Sequence, residues 1–111
     1  MSTISTHVLD TALGRPAAGM TVSLERLDGV QALPLGTGIT DVDGRVVVLS
    51  RSPLTAGVHR LTFDTAGYFA TTDQRGLFPL VTVAFTVTDP GEHYHVPVLL
   101  SPFAYSVYRG S

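Results

Sequence analysis

Apolar and polar residues alternate along most of the chain with a period of two. Val81, Val83, Phe85 and Val87 fall on one side of a run whose other side is Thr82, Ala84 and Thr86. That is the pattern of a strand with one buried face. Residues 20–27 read the same way, with Val22 and Leu24 opposite Thr21, Ser23 and Glu25. Residues 58–65 place His59, Leu61 and Phe63 on one side. Residues 45–49 are short and β-branched, as expected of a buried strand. Residues 93–100 and 103–109, separated by Ser101-Pro102, complete the set. Pro97 within the first of these points to an edge position or a local irregularity. Asp28-Gly29 and Asp43-Gly44 are hairpin-type dipeptides, while Gly14-Arg15-Pro16, Ser52-Pro53 and Asp89-Pro90-Gly91 mark loops. The best helix candidate is residues 65–75, one or two turns at most. Seven or eight short strands with frequent turns predict an all-β sandwich. With no linker, internal repeat or low-complexity stretch, residues 1–111 read as a single domain.

Composition narrows the function classes. The chain has no cysteine, which excludes disulfides and thiolate chemistry. All seven basic residues are arginine, and against nine acidic ones they leave a net charge of 7 − 9 = −2. They are scattered along the chain, where a nucleic-acid binder would cluster them. Only 14% of residues are charged and 44% are hydrophobic. This is lean for a free monomer, and it predicts a surface partly covered by partner subunits. No apolar run approaches the roughly 20 residues of a membrane helix. The start, Met1-Ser2-Thr3-Ile4-Ser5-Thr6, has neither the basic nor the apolar region of a signal peptide. The end, Arg109-Gly110-Ser111, is no peroxisomal address. The expected location is cytoplasmic.

The chemistry-bearing candidates are few. Of the four histidines, His7, His59, His93 and His95, two stand in telling positions. His95 begins a strongly apolar run and shares its side with Pro97 and Leu99. His7 opens the first strand, with Leu9 on the same side. Arg45 begins a strand on the side of Val47 and Leu49, where an arginine calls for an anionic or polar partner. His93 and His95 would put two rings on one face, as metal sites often need, with His7 as third ligand. The tight ligand spacings of metal sites are missing, and no metal is assigned. There is no nucleophile elbow, Walker loop or Rossmann glycine pattern. What remains is hydrolysis by an activated water, with histidines as acid and base and arginine as charge stabiliser.

Three blocks of sequence carry a family resemblance. His7-Val8-Leu9-Asp10-Thr11-Ala12 with Gly14-Arg15-Pro16-Ala17 resembles the N-terminal signature of transthyretin-related proteins. Thr40-Asp41-Val42-Asp43-Gly44-Arg45 resembles their second block. Residues 93–111, closing on Tyr108-Arg109-Gly110-Ser111, resemble the 5-hydroxyisourate hydrolases. Transthyretin itself lacks that tetrapeptide and the matching histidines. The resemblance implies a transthyretin-like (prealbumin-like) sandwich of two four-stranded sheets with one short helix, of Greek-key type. It further implies a homotetramer, a dimer of edge-to-edge dimers with active sites at the dimer–dimer interface of a central channel. The implied reaction converts 5-hydroxyisourate to 2-oxo-4-hydroxy-4-carboxy-5-ureidoimidazoline, on the route from urate to allantoin, without metal or organic cofactor. On this resemblance His7 and His95 are the active-site histidines and Arg45 the active-site arginine. Tyr108 closes the pocket and binds substrate, and Ser111 contributes its hydroxyl and terminal carboxylate. Which histidine is the base stays open, and His59 and His93 are structural. Val107, Ala104 and Leu80 depart from the family pattern at positions of packing or surface.

Two other readings compete. A transthyretin-like carrier would hold small hydrophobic ligands in the same channel, but it needs an open, apolar channel that His7, Arg45, His95 and Tyr108 would narrow. A structural sandwich used for adhesion fits poorly with a chain lacking cysteines and linkers.

Overall fold

The computed structural model describes residues 3–50, 52–89 and 91–111. Met1, Ser2, Arg51 and Pro90, which figure in the readings of the N-terminus, the arginine distribution and the 89–91 loop, lie outside the described residues.

Two sheets face each other across one core. The first contains β1 (Thr3–Asp10), β2 (Arg15–Pro16), β5 (Arg45–Val46), β8 (His93–Ser101) and β9 (Ala104–Val107). The second contains β3 (Thr21–Asp28), β4 (Gln31–Ile39), β6 (Gly57–Phe63) and β7 (Val81–Val87), in the order β4-β3-β6-β7. The chain thus crosses between sheets repeatedly, as the expected sandwich requires. The first sheet is also four strands wide. β2 and β5 both pair antiparallel with β1, at Leu9–Asp10 and at Thr6–His7, and share one position beside it. β8 runs parallel to β1 over eight residue pairs, and β9 folds back antiparallel onto β8.

The alternation read from the sequence produces this layering. On β1 the inward residues Ile4, Thr6, Val8 and Asp10 are all buried. On β8 they are Tyr94, Val96, Val98 and Leu100. Val22 and Leu24, Leu61 and Phe63, and Val81 and Val87 meet them from the second sheet. His59 belongs to that inward row. Its Nδ1–H donates to the Gly57 carbonyl at 3.1 Å and its ring stacks on Phe85, while burial, first, holds its pKa below the usual histidine value.

The helix expected around residues 65–75 is α1 (Thr65–Thr71). Asp64 caps it by accepting from the Gly67 amide at 3.0 Å. α1 is pinned to β1 through the buried Asp10, whose carboxylate accepts from Tyr68 Oη at 2.7 Å, Gln74 Nε2 at 2.9 Å and the Leu13 amide at 2.8 Å. Burial alone would raise the Asp10 pKa, but these donors together bring it below its usual value. The same burial, reinforced by Asp10, pushes Tyr68 up to about 12.

One strand was not read from the sequence, and three readings change. β4 carries no clear alternation, because Pro34, Gly36 and Gly38 interrupt it. It is nevertheless a strand of nine residues, an edge strand whose register with β3 shifts at Leu24/Glu25, beside Pro34. Arg15-Pro16, read as loop, is a two-residue strand. The strand expected over 45–49 ends at Val46. Val47 and Val48 are 66% and 65% exposed, and only Leu49 turns back into the core. Arg45 is exposed, so it does not share a side with Leu49. Finally, His7 stands in the middle of β1 rather than opening it. Asp43-Gly44 forms a turn that swings the chain from the second sheet to the first. There Gly44 adopts φ +76° and lies so close to the Val8 carbonyl that a Cβ would stand 2.4 Å from it.

Pro97 lies on β8, which has neighbours on both sides, so the edge alternative fails and the local irregularity holds. Pro97 sits opposite Tyr108, whose amide donates to the Pro97 carbonyl at 3.4 Å, and proline has no N–H to return the bond. β9 accordingly ends at Val107, and pairing resumes at the His95–Gly110 bridge with the register kept.

Candidate active site

Strand register assembles the site. His7 on β1 is paired on one side with Arg45 of β5 and on the other with Pro97 of β8. Pro97 in turn faces Tyr108. Directly paired residues share a sheet face, so Arg45, His7, Pro97 and Tyr108 form one row across the outer side of the first sheet. Neighbouring strands lie about 4.8 Å apart, so the row from Arg45 to Tyr108 measures about 14 Å, the scale of a small heterocycle with its binding groups. One step along the strands, Ser5 pairs with His95, and His95 bridges to Gly110. A further step pairs Thr3 with His93.

This second row is tied together by side chains. Ser5 Oγ lies 2.8 Å from His95 Nδ1 and 2.9 Å from His93 Nε2. Thr3 Oγ1 lies 2.5 Å from His93 Nδ1. Gly110 backs the imidazole of His95: its amide donates to the His95 carbonyl at 2.8 Å, and a Cβ at position 110 would stand 2.5 Å from His95 Cδ2. Any side chain there would displace the ring.

The electrostatics single out His95. Its pKa lies below the usual histidine value, first because it is partly buried and then because the Arg45 cation, and the charge that His7 or His93 carries when protonated, disfavour a further proton. A hydrogen bond to the Ser5 backbone pulls the other way, the least of these causes. At neutral pH His95 is therefore an uncharged imidazole, able to accept a proton beside a fixed cation.

Of the residues expected from the sequence, His7, Arg45, His95 and Tyr108 come together on one open face, with Tyr108 54% exposed. Ser111 stands further along. It lines a shallow hollow with Glu92, His93, Arg109 and Gly110, at the end of the sheet where His93 emerges. His93, expected to be structural, lies on the site's own face. Ser5 was not singled out at all. The signal was present, since Ser5 and His7 have the spacing of His93 and His95, but only the parallel pairing of β1 with β8 sets the two side by side. Among the described residues, no three His, Asp or Glu side chains gather as metal ligands. An apolar cavity of ≈ 260 Å³, which Tyr108 also lines, opens between Val83 and Phe85 of β7 and Tyr94 and Val96 of β8. It lies on the inner side of the sheet, away from His7 and His95. Its polar wall is Arg109, stacked over Tyr94 at 4.7 Å and ion-paired with Glu92 at 2.7 Å.

Residues 4–110 match the family described as HIUase/Transthyretin. The chain belongs to the HIUase/transthyretin family. It is 43% identical to a 5-hydroxyisourate hydrolase of Mus musculus over 113 residues, covering 99% of this chain and 96% of that protein. The solved 5-hydroxyisourate hydrolase of Klebsiella pneumoniae superposes with a TM-score of 0.87 at 39% identity, covering 98% and 99% of the two chains. Sea bream transthyretin in complex with thyroxine superposes as well, with a TM-score of 0.89, at only 26% identity over 97% and 94%. Shape is thus common to both branches of the HIUase/transthyretin family.

Proposed function

We propose that the chain hydrolyses 5-hydroxyisourate to 2-oxo-4-hydroxy-4-carboxy-5-ureidoimidazoline, by water activated on the outer face of the β1–β8 pair. The observation that carries this reading is the Arg45–His7–Pro97–Tyr108 row with a neutral His95 alongside. His95 takes a proton from the water as the oxygen attacks the ring carbonyl. The C–N bond then breaks, and its nitrogen receives a proton, with His7 placed to orient the water or to deliver that proton. Arg45 stabilises the negative charge that develops on the carbonyl oxygen. Tyr108 binds the ring from the far end of the row, and Ser111 lies at the margin beside His93.

The same reading makes the active form a homotetramer, a dimer of dimers, in the cytoplasm. Two observations support the assembly. Among the described residues, β7 and β9 each pair on one side only and leave free edges. The site is an open sheet face rather than a cleft, and a second face packed over it would exclude water.

The test generates 5-hydroxyisourate in place from urate with urate oxidase and follows its ultraviolet decay. Wild type accelerates the decay, and folded His7→Ala, Arg45→Ala and His95→Ala variants fall near background. A folded wild type that leaves the decay unchanged rejects the hydrolase in favour of a carrier of small hydrophobic ligands.

A further inference from the structure

The contacts of Ser5 reach beyond holding a ring in place. We propose that Ser5 is a positioning residue that joins His95 to His93 in a proton relay, with His93 storing the proton that His95 takes from water. This rests on the assignment of His95 as the base in the proposed reaction.

The argument is one of hydrogen-bond counting. A serine hydroxyl has one proton to donate and two lone pairs to accept with. Ser5 Oγ is within bonding distance of two ring nitrogens, His95 Nδ1 and His93 Nε2, so it can donate to one while accepting from the other. In the first arrangement His95 carries its proton on Nδ1 and donates it to Ser5. Ser5 donates to His93 Nε2, and His93 Nδ1–H donates to Thr3 Oγ1. His95 Nε2 then holds a lone pair and is a base. In the second arrangement both bonds of Ser5 are reversed while His93 Nδ1–H still donates to Thr3 Oγ1, so His93 carries a proton on each nitrogen, and His95 carries its proton on Nε2 and is an acid.

The attack of water connects the two. A water proton moves to His95 Nε2, the Nδ1 proton passes to Ser5 Oγ, and the Ser5 proton passes to His93 Nε2. His95 ends neutral, and the positive charge rests on His93. This is the favourable place for it, because His93 is exposed and Arg45 opposes a charge on His95. When the ring nitrogen leaves, His95 gives up its Nε2 proton and the chain shifts back, returning the stored proton to His95 Nδ1. Protons balance over the cycle with none taken from solvent. The groups facing His95 are Arg45 from β5, His7 from β1 and His93 from β8.

The experiment compares Ser5→Ala, Ser5→Thr, His93→Phe and His95→Ala in the 5-hydroxyisourate decay assay, with nitrogen-15 NMR of the histidine rings. The relay predicts that Ser5→Ala and His93→Phe each lower kcat by about tenfold or more with KM near wild type. Ser5→Thr, which keeps the hydroxyl, restores most of the loss. In wild type the Nδ1 and Nε2 tautomers of the His93 and His95 rings change together, and in Ser5→Ala that linkage is lost. Should Ser5→Ala not fold, His93→Phe at its exposed position decides the matter. Unchanged kcat in His93→Phe, with His95→Ala inactive, overturns the relay and leaves the site standing. Full activity in His95→Ala overturns the relay and the site together.

Discussion

The two faces of the β1–β8 pair come from the same seventeen consecutive-pleat positions, eight on β1 and nine on β8, yet they answer to different rules. Inward, every polar group is locked. Thr6 Oγ1 donates to the Val96 carbonyl at 2.6 Å, and the carboxylate of Asp10 accepts from three donors. A buried polar group without a partner costs about 1–3 kcal/mol, a cost that these bonds avoid on the inner face of β1 and β8. Outward, Ser5, His7, His93 and His95 keep ring nitrogens or hydroxyls that can change partners, because solvent or substrate stands ready to replace a lost bond. The pleat therefore separates stability from chemistry at single-residue spacing, and neighbouring substitutions in one strand should have different consequences.

The sharpest break of the comparison is between His95 and Leu100. His95→Ala lowers kcat about 10²–10⁴-fold, equivalent to about 2.7–5.4 kcal/mol of barrier. Its stability loss in denaturant melts stays at about 1 kcal/mol, as for a half-buried side chain. Leu100→Ala, in the same strand but 1% exposed, costs about 2–5 kcal/mol of stability and leaves kcat of the folded fraction near wild type. A His95→Ala protein that melts early and keeps its rate would erase the distinction between the faces.

A smaller effect is expected where the inner face carries a charge. Tyr68→Phe removes one donor to the Asp10 carboxylate, at about 1.5–3 kcal/mol. Because the Asp10 pKa is depressed in the folded state, its contribution to stability is fully present above the unfolded value of 3.8. It is lost as pH falls through the lower folded value. Tyr68→Phe raises that folded pKa, so acid unfolding of the variant begins at higher pH. Melting curves from pH 7 down to pH 2 read both effects, and identical acid limbs would deny Tyr68 its role.

The smallest effect lies on the outer face. Arg45 helps hold the His95 pKa down, and the base must be neutral to act. Wild-type activity therefore persists to pH values below 6.5 and falls as His95 gains its proton. Arg45→Gln lifts that opposition, so the acid limb of its kcat profile moves to higher pH, in addition to any loss in absolute rate. A limb that stays in place would mean that Arg45 does not act on His95.

Much of this was legible in the chain, and the reasons are specific. Strands such as β7 and β6 alternate cleanly because one side faces a core and the other water. β4 was hidden because an edge strand can carry Pro34, Gly36 and Gly38 without losing its pairing. The 45–49 run misled because three valines mark β-propensity and do not reveal where a chain leaves its sheet. His7, Arg45, His95 and Tyr108 were visible from residue type and family resemblance, and parity placed His7 with Leu9 and His95 with Pro97 and Leu99. Ser5 and the part played by His93 were not visible, because they depend on a parallel pairing between residues nearly ninety positions apart, which no local pattern encodes.

The proline in β8 has a kinetic consequence. Opposite Pro97 the tail is held by one bond where a regular ladder has two, and beyond that weakness a single bridge at Gly110 keeps it against the sheet. Local opening should accordingly start there. The amide of Tyr108 will exchange with solvent deuterium well before those of β1 and β8, at a free energy far below that of global unfolding. The backing of the His95 ring is thus the part of the site most easily peeled away, and the moment at which a ligand first slows that exchange would report when the site is fully assembled.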